Sequence, residues 1–402
     1  MLTTIRRAEY VELIILFFIQ GAALGMWFVP LSPVLEAHGL SAIRPYAFAA
    51  SAVAAFVSPL IFGAMADHTA SPVAVLRGLA IATAAAMTLA STAIGQHWNA
   101  WLVLGIIQLH ALCSAPTWSI ASTIVLARLA DSQREFGPIR AMGTLGWMAG
   151  CLFVSVIRAD TSPWAGYSGA MTWLLVALFT FFLPQVETPR AVQQLKLHQR
   201  FGLDALTLLK NPDHRVVFIT VALFAIPLAG FYPYAPPHLQ ELGFVRVSAW
   251  MSLGQVSEVI AMFALGMLMT KWRLKWIFGI GLMFGVMRFV VSAFDTRFAL
   301  LTGICLHGFS FTLVFITAQI YLDQRVDPAW RARAQALMAL MNGGVGNLLG
   351  YLGTGYWFNL CGGTQSASWR VFWAGLAGVV LCVLCYFLLA YRGIGGAHAS
   401  RR

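Results

Sequence analysis

Charged side chains are scarce in this sequence. Aspartate, glutamate, lysine and arginine make up 10% of its 402 residues, whereas apolar residues make up 59%. A water-soluble domain carries roughly 25% charged residues, because its surface must be hydrated. The composition therefore excludes a soluble globular protein and indicates that lipid covers most of the surface.

Cysteine is sparse as well, and catalytic constellations are missing. Five of the six cysteines lie within apolar runs, where a thiol packs as a small apolar group. Cys382 and Cys385 have the spacing of a redox pair but lack basic neighbours and further metal ligands. His110 and His307 stand alone in the sequence, and the apolar runs hold no paired acids and no nucleophile beside a base. We therefore expect neither an enzyme nor a metal or cofactor.

Long apolar runs, in contrast, account for most of the chain. Most approach the ~20 residues that span a bilayer as a helix, and they are rich in the small residues that let helices pack closely in lipid. The predicted fold class is an all-α polytopic membrane protein. Its twelve predicted transmembrane helices are Tyr10–Leu35, Pro45–Ala66, Val73–Ile94, Ala100–Leu126, Ile139–Ile157, Tyr167–Leu183, Val216–Leu239, Ser248–Met269, Trp276–Phe294, Ala299–Tyr321, Ala334–Phe358 and Phe372–Tyr391.

The basic residues alternate between loops in the way that sets membrane orientation. With the N-terminus inside, 19 of the 26 lysines and arginines fall in inner segments and five in outer loops. The positive-inside rule thus places both termini in the cytoplasm of a bacterial-type inner membrane. The same distribution explains the net charge of +11, so no nucleic-acid partner is expected.

The longest polar segment divides the predicted helices six and six. The N-terminal half covers residues 1–184, the cytoplasmic linker 185–215 and the C-terminal half 216–402. Within the linker, Phe201–Lys210 has the pattern of a short amphipathic helix on the inner leaflet. Two six-helix halves joined by a basic linker resemble the major facilitator superfamily, which implies alternating access and a substrate site at midplane between the halves.

Glu258 is the carboxylate that the sequence places near the membrane midplane, roughly 15 Å along the eighth helix from its outer end. Gln255, three residues earlier, shares its helix face. An ionisable group at this depth is costly, so it indicates a functional role, here proton coupling. The alternative is a structural carboxylate paired permanently with Arg288 of the ninth helix.

The fifth helix carries a polar stripe. Arg140 begins the helix, and Thr144 and Trp147 follow at i+4 and i+7 on the same face. A guanidinium, a hydroxyl and an indole form a wall that can bind and stack on a ring-bearing substrate. For Arg140, which lies near the inner boundary, the alternative is snorkelling to the headgroups.

The seventh helix contains an aromatic, proline-rich stretch at residues 230–237 (GFYPYAPP). Its three prolines predict a break or kink beside a substrate cavity, with a simple hinge at the outer end as the alternative. A single Trp or Tyr in a membrane helix is more often a packing or interface residue than a ligand contact. The remaining polar and aromatic candidates are Gln20, Trp27, Trp118, Tyr232, Tyr234, His307, Phe311, Thr312 and Asn342.

Several short motifs resemble the nucleoside:proton symporter family of the major facilitator superfamily over most of the chain. The motifs are FGPIRAMGTLG at 136–146, QVSE at 255–258, RF at 288–289 and RARAQ at 331–335. The resemblance implies that Arg140, Thr144, Gln255 and Glu258 contribute to a nucleoside and proton site.

Four positions depart from the pattern of the family's known nucleoside porters. Their helix 7 amide pair is replaced by Ala229 and Tyr232, and the aspartate after the helix 10 aromatic is replaced by Thr312 after Phe311. His307 stands where those porters can have tyrosine. With the helix 10 acid absent, Glu258 and His307 are expected to carry the proton.

The predicted function is proton-coupled import of a nucleoside or a similar small hydroxylated metabolite by a monomer in the lipid bilayer. A sugar, a glycoside or an aromatic acid is the alternative substrate, and a non-transporting membrane sensor is the alternative of another class. The predicted substrate-binding residues are Gln20, Trp27, Arg140, Thr144, Trp147, Tyr232, Gln255, Glu258, Phe311 and Thr312.

Overall fold

The computed structural model describes residues 7–66, 71–129, 132–183, 203–327, 330–366 and 368–393, which are helical almost throughout and contain no strand. Nine helices within these ranges are long and apolar enough to cross a membrane, and two shorter apolar helices cover 41–57 and Trp164–Phe179. A twelfth span, in the eleventh position, is interrupted by a π-helical segment. The predicted all-α fold of twelve transmembrane helices is confirmed.

We number the helices α1 to α12 and divide the interrupted ones into a and b. A short helix, Leu31–Ala37, continues α1. The bounds are α1 Arg7–Phe28, α2 Arg44–Ala66, α3 Pro72–Gly95, α4 Ala100–Leu126, α5 Ser132–Val156, α6 Trp164–Phe179, α7a Pro212–Ala229, α7b Phe231–Glu241, α8a Val247–Met251, α8b Leu253–Lys271, α9 Leu274–Ser292, α10a Arg297–Phe311, α10b Thr317–Arg325, α11a Arg331–Ala339, α11b Asn347–Leu360 and α12 Trp369–Ala390.

The predicted linker is described only from residue 203 onward, and its residues 185–202 lie outside the described ranges. Leu203–Lys210, within the predicted amphipathic segment, form a 3₁₀ helix. Asp204 in this helix accepts a hydrogen bond of 2.9 Å from Arg333 near the start of α11. The 3₁₀ helix is therefore tied to a transmembrane helix by an ion pair.

Contacts divide the chain into two compact units. Unit 1 comprises residues 1–194 together with 232–252, and unit 2 comprises residues 195–231 together with 253–402. Nearly all of α7b and the first turn of α8 thus group with the first six helices, although they follow the linker in sequence.

In unit 1, glycines let the backbones of α1 and α5 touch. A Cβ added at Gly21 would overlap the carbonyl oxygen of Gly143, and one at Gly146 would overlap the carbonyl oxygen of Phe18. Such direct backbone contact at small residues is the packing that holds helices together in lipid. It fixes α5, the helix that carries the Arg140 stripe, against α1.

In unit 2, α8b and α10a cross at Gly308. A Cβ at Gly308 would overlap the backbone nitrogen of Glu258, and the Gly308 N–H donates to the Ser257 hydroxyl over 3.1 Å. One turn away, Gly254 packs against the His307 ring. The crossing therefore holds the backbone of Glu258 directly against α10.

The predicted break in the seventh helix is present, but it falls at Gly230, between α7a and α7b. Pro233 has no N–H to donate to the Ala229 carbonyl, so the helical ladder ends there, before the prolines themselves. Pro236 and Pro237 lie inside α7b. The Pro233 carbonyl, which Pro237 cannot reach with a donor, accepts the Ser32 hydroxyl over 2.5 Å instead.

Two π-helical segments interrupt unit 2, Thr312–Ile316 in α10 and Leu340–Gly346 in α11. The sequence did not predict either of them. Single-turn π segments in α-helices occur frequently at functional sites. The first one begins at Thr312, one of the predicted substrate-binding residues.

Candidate functional site

The predicted stripe on α5 is present in unit 1. Arg140 is exposed, and its guanidinium carbon lies 5.7 Å from the centre of the Trp118 ring. Thr144 and Trp147 are half-buried. The Trp147 indole nitrogen has no hydrogen-bond partner among the described residues, although it is buried. A cation, a hydroxyl and an unused indole donor thus follow one another along the helix.

Trp147 belongs to a group of three rings that we call the aromatic cluster, formed by Phe28, Trp147 and Tyr232. The Phe28 ring centre lies 5.8 Å from that of Trp147 and 5.2 Å from that of Tyr232, and the last two are 6.0 Å apart. All three side chains are half-buried. The Phe28–Tyr232 pair is edge-to-face and the other two pairs are tilted, at separations where aromatic rings attract one another.

Phe28 was not predicted. It is the last residue of α1 and follows Trp27, which was the predicted aromatic candidate on this helix. Neighbouring residues on a helix point in directions about 100° apart, so only one of the two can face Trp147. To choose Phe28 over Trp27, one must know how α1, α5 and α7b pack, and the sequence alone does not show this.

Gln20 and Trp27 are placed in the interior of unit 1. Gln20 is fully buried and donates to the Thr117 hydroxyl over 2.9 Å. The Trp27 ring centre lies 5.1 Å from the His110 ring, and its ring edge faces Gly166. Both side chains therefore pack α1 against neighbouring helices and support the helix that carries Phe28.

In unit 2, Gln255 and Glu258 lie one turn apart on α8b, as predicted. Gln255 is buried and Glu258 is half-buried. The Thr312 hydroxyl, at the start of the π segment, donates to the Glu258 main-chain carbonyl over 3.5 Å. Thr312 thus contacts the backbone of the carboxylate residue at the crossing of α8b and α10a.

His307 does not stand alone in the structure. Arg288 donates from Nη1 to its Nδ1 over 2.5 Å, and the imidazole stacks on Phe231 with ring centres 4.4 Å apart. The guanidinium carbon of Arg288 lies 4.2 Å from the Phe231 ring centre and 4.7 Å from that of Phe289. A guanidinium has donors only, so Nδ1 accepts and the imidazole is neutral, with its proton on Nε2.

Phe311 extends this group of rings towards the π segment. Its ring centre lies 6.0 Å from that of His307 and 5.1 Å from that of Phe315. Phe311 is half-buried, whereas Thr312 is fully buried. The structure therefore assembles two sets of predicted residues, one in each unit: the α5 stripe with Tyr232, and the α8b pair with Phe311, Thr312 and His307.

Known proteins match this chain over nearly its whole length. A family model described as nucleoside H+ symporter matches residues 8–394. The chain is 32% identical to YegT of Escherichia coli (strain K12), which is named for nucleoside transport, over 95% of this chain and 93% of that one. It is 23% identical to the xanthosine permease of the same organism over 94% of each chain.

A solved structure with the same fold is that of the nucleoside transporter NupG. The TM-score is 0.84, with 23% sequence identity over 95% of this chain and 99% of that one. At this identity the likeness concerns the fold. It agrees with the twelve-helix architecture described above.

Proposed function

Because the chain belongs to the nucleoside H+ symporter family, we propose that it imports a nucleoside together with protons, using the two sets of residues described above. The chain is a multi-pass membrane transporter and not an enzyme. The observation that carries the proposal is the half-buried carboxylate of Glu258, held with Gln255 at a backbone crossing of two membrane helices.

In unit 1, we assign recognition of the nucleobase to the aromatic cluster. Every base has a flat π face, and stacking on an aromatic side chain is favourable for all of them. The Trp147 indole donor, which has no protein acceptor among the described residues, is available to a base or sugar oxygen. Arg140 and Thr144 on the same stripe supply further donors, and Gln20 and Trp27 support the stripe from the interior.

In unit 2, we assign hydrogen bonding to the ribose and proton uptake to the α8b pair. The Gln255 amide both donates and accepts, which suits a vicinal diol. The Glu258 carboxylate is the group that changes charge during the cycle. The contact of Thr312 with the Glu258 carbonyl keeps that residue at one depth against α10, and Phe311 lies beside it in sequence.

The two candidates for proton coupling differ in their surroundings. The Nδ1 atom of His307 already accepts from Arg288, which carries a permanent positive charge. A second positive charge on the imidazole would break this bond and repel the guanidinium. We therefore propose that Glu258 carries the proton and that His307 joins α10 to α9.

Three further features belong to the proposal. Both termini and the linker face the cytoplasm, in accordance with the positive-inside distribution of lysine and arginine. The transporter works as a monomer. Its substrate class is a nucleoside rather than a sugar, glycoside or aromatic acid, because three rings are gathered at one place in unit 1.

Uptake by purified protein in proteoliposomes tests the function. With an inwardly directed proton gradient, radiolabelled uridine should accumulate above its outside concentration, and a protonophore should abolish the accumulation. Unlabelled adenosine should compete, whereas glucose, phenyl glucoside and benzoate should not. Competition by one of the last three without competition by adenosine would establish the alternative substrate class. Absence of all gradient-driven uptake would contradict symport.

A further inference from the structure

The first turn of α8 is capped by side chains from another helix. The Ser248 N–H donates to the Asp160 carboxylate over 2.7 Å, and the Ala249 N–H donates to the Ser155 hydroxyl over 2.9 Å. Ser155 in turn donates to Asp160 over 2.9 Å. The residue that precedes α8a, Arg246, has a left-handed φ of 60° and provides no side-chain cap of its own.

Ser155 and Asp160 accept the N–H groups at the start of α8a, a task that a residue next to the helix usually performs. The first N–H groups of a helix lack partners within it, and a carboxylate near them also interacts favourably with the helix dipole. Here Ser155, Asp160 and Ser248 are all buried, so water does not replace the cap while it is formed. The cap exists only when the first turn of α8 lies against the end of α5.

Further contacts hold the other end of the same stretch. The Ser32 hydroxyl donates to the Pro233 carbonyl. The guanidinium of Arg44, which is paired with Glu36 over 2.7 Å, lies 5.7 Å from the Tyr234 ring centre. Residues 232–252, which we call the gate segment, are thus fastened to the first six helices at both ends.

The gate segment also lies between two interruptions of helical structure. α7 is broken at Gly230, immediately before the segment, and Ser252 separates α8a from α8b at its end. Hinges are typically a few residues at the ends of elements that absorb changes in φ and ψ. The segment therefore has a defined docking surface on the first six helices and a candidate hinge at each end.

We propose that Asp160 is the latch that holds the gate segment against the first six helices in one transport state and releases it in another. A transporter that alternates access must open and close one face in each cycle. The buried bonds to Ser248 and Ser155 stabilise the docked state, and their loss favours release. Only the role of the latch in turnover rests on the proposed function, because docking itself is independent of the substrate.

A buried cysteine can report release. The Ser248 side chain is fully buried, and the latch uses the backbone N–H of this residue, so Ser248→Cys keeps the bond to Asp160. The purified variant in lipid nanodiscs, where both faces are accessible, is treated with fluorescein maleimide. Labelling of the parent chain, which retains the six native cysteines, is subtracted.

The introduced thiol should react slowly, and about ten times faster when Asp160→Ala is added, because a charge-assisted hydrogen bond to the helix end is lost. Asp160→Asn, which keeps one acceptor oxygen, and Ser155→Ala should give intermediate rates. These two variants decide the test if Asp160→Ala is not monodisperse. Thr161→Ala, an exposed neighbour, is the matched control and should leave the rate unchanged. Equal rates with and without Asp160 would overturn the latch.

Uptake of radiolabelled uridine then tests the role in turnover. Asp160→Ala in the parent chain should reduce the initial rate several-fold, whereas Thr161→Ala should not. Faster thiol labelling combined with unchanged uridine uptake would overturn the gating role. If the parent takes up no uridine, the proposed nucleoside function fails, and the labelling rates still decide whether Asp160 holds the segment.

Discussion

Arg288 of α9 and His307 of α10 are joined by a buried hydrogen bond in which the guanidinium donates to Nδ1. The two side chains also share one ring, because both lie over Phe231, the first residue of α7b. Residues of α9 and α10 and the first residue of α7b, all within unit 2, therefore meet at this pair. The bond fixes the charge and the tautomer of the imidazole in this arrangement, since the guanidinium cannot accept.

The first prediction is that His307 does not carry the coupled proton. Asparagine can place an acceptor near the position of Nδ1 but does not titrate, so His307→Asn should keep gradient-driven uridine accumulation and its dependence on outside pH. The measurement is uptake in proteoliposomes between pH 5.5 and 8. A pH-independent His307→Asn variant that still binds uridine would return the proton to His307.

The second prediction concerns stability. His307→Leu should remove the Nδ1 acceptor from the buried Arg288 guanidinium and lower the free energy of unfolding by about 1.5–3 kcal/mol. Arg288→Leu combined with His307→Leu should recover much of the loss, because two apolar side chains replace a charged pair. Thermal unfolding of the purified variants measures both changes. A double variant as unstable as the sum of its single variants would contradict the pairing.

The third prediction concerns Glu258. Glu258→Gln keeps the shape of the protonated carboxyl group and removes the charge, so the protein should still bind uridine and exchange it across the membrane. It should no longer accumulate uridine against a gradient. Counterflow and gradient-driven uptake in the same proteoliposomes distinguish the two activities. Accumulation that survives in Glu258→Gln would make this residue structural.

The fourth prediction concerns the aromatic cluster. Stacking of a base on an aromatic ring is worth roughly 1–3 kcal/mol, so Phe28→Ala and Tyr232→Ala should each weaken uridine binding about ten-fold. Trp101→Ala, an exposed aromatic on α4, is the control and should bind normally. Binding is measured by ligand-induced thermal shift. Unchanged affinity in both cluster variants would identify the rings as packing residues.

The fifth prediction concerns the contact of α1 with α5. Gly146→Ala would place a methyl group on the Phe18 carbonyl and should destabilise the protein by about 1–3 kcal/mol. Gly105→Ala in α4, where no atom lies near the added methyl, should be neutral or should stabilise the helix by about 0.5–1 kcal/mol. Thermal unfolding compares the two. A stable Gly146→Ala variant would mean that the backbones separate readily.

The sequence predicted those features that depend on composition along a single helix. Apolar runs of bilayer length gave the twelve helices, because lipid selects for length and hydrophobicity. The prolines at 233, 236 and 237 indicated the break in α7, although it lies at Gly230, where the first missing donor takes effect. Gln255 and Glu258 share a face of α8b because their spacing alone determines it.

Features that depend on how helices face one another were not predictable in this way. Arg288 and His307 are 19 residues apart on different helices, and a single sequence does not show which buried groups meet. Phe28 was not predicted, because the rotation of α1 is set by its glycine contacts with α5. The π segments have no sequence pattern of their own, since they arise where packing forces an additional residue into a turn.

The prolines of α7b have a consequence for the work that each transport cycle requires. Bending an intact membrane helix exposes carbonyl groups to lipid, which costs several kcal/mol for each unsatisfied group. Next to Gly230, the Ala229 carbonyl receives no helical hydrogen bond in any state, because Pro233 has no N–H to donate. Bending at this point therefore has one backbone hydrogen bond fewer to break than bending an intact helix, and the Ser32 contact with the Pro233 carbonyl is one of the side-chain contacts that hold the present arrangement.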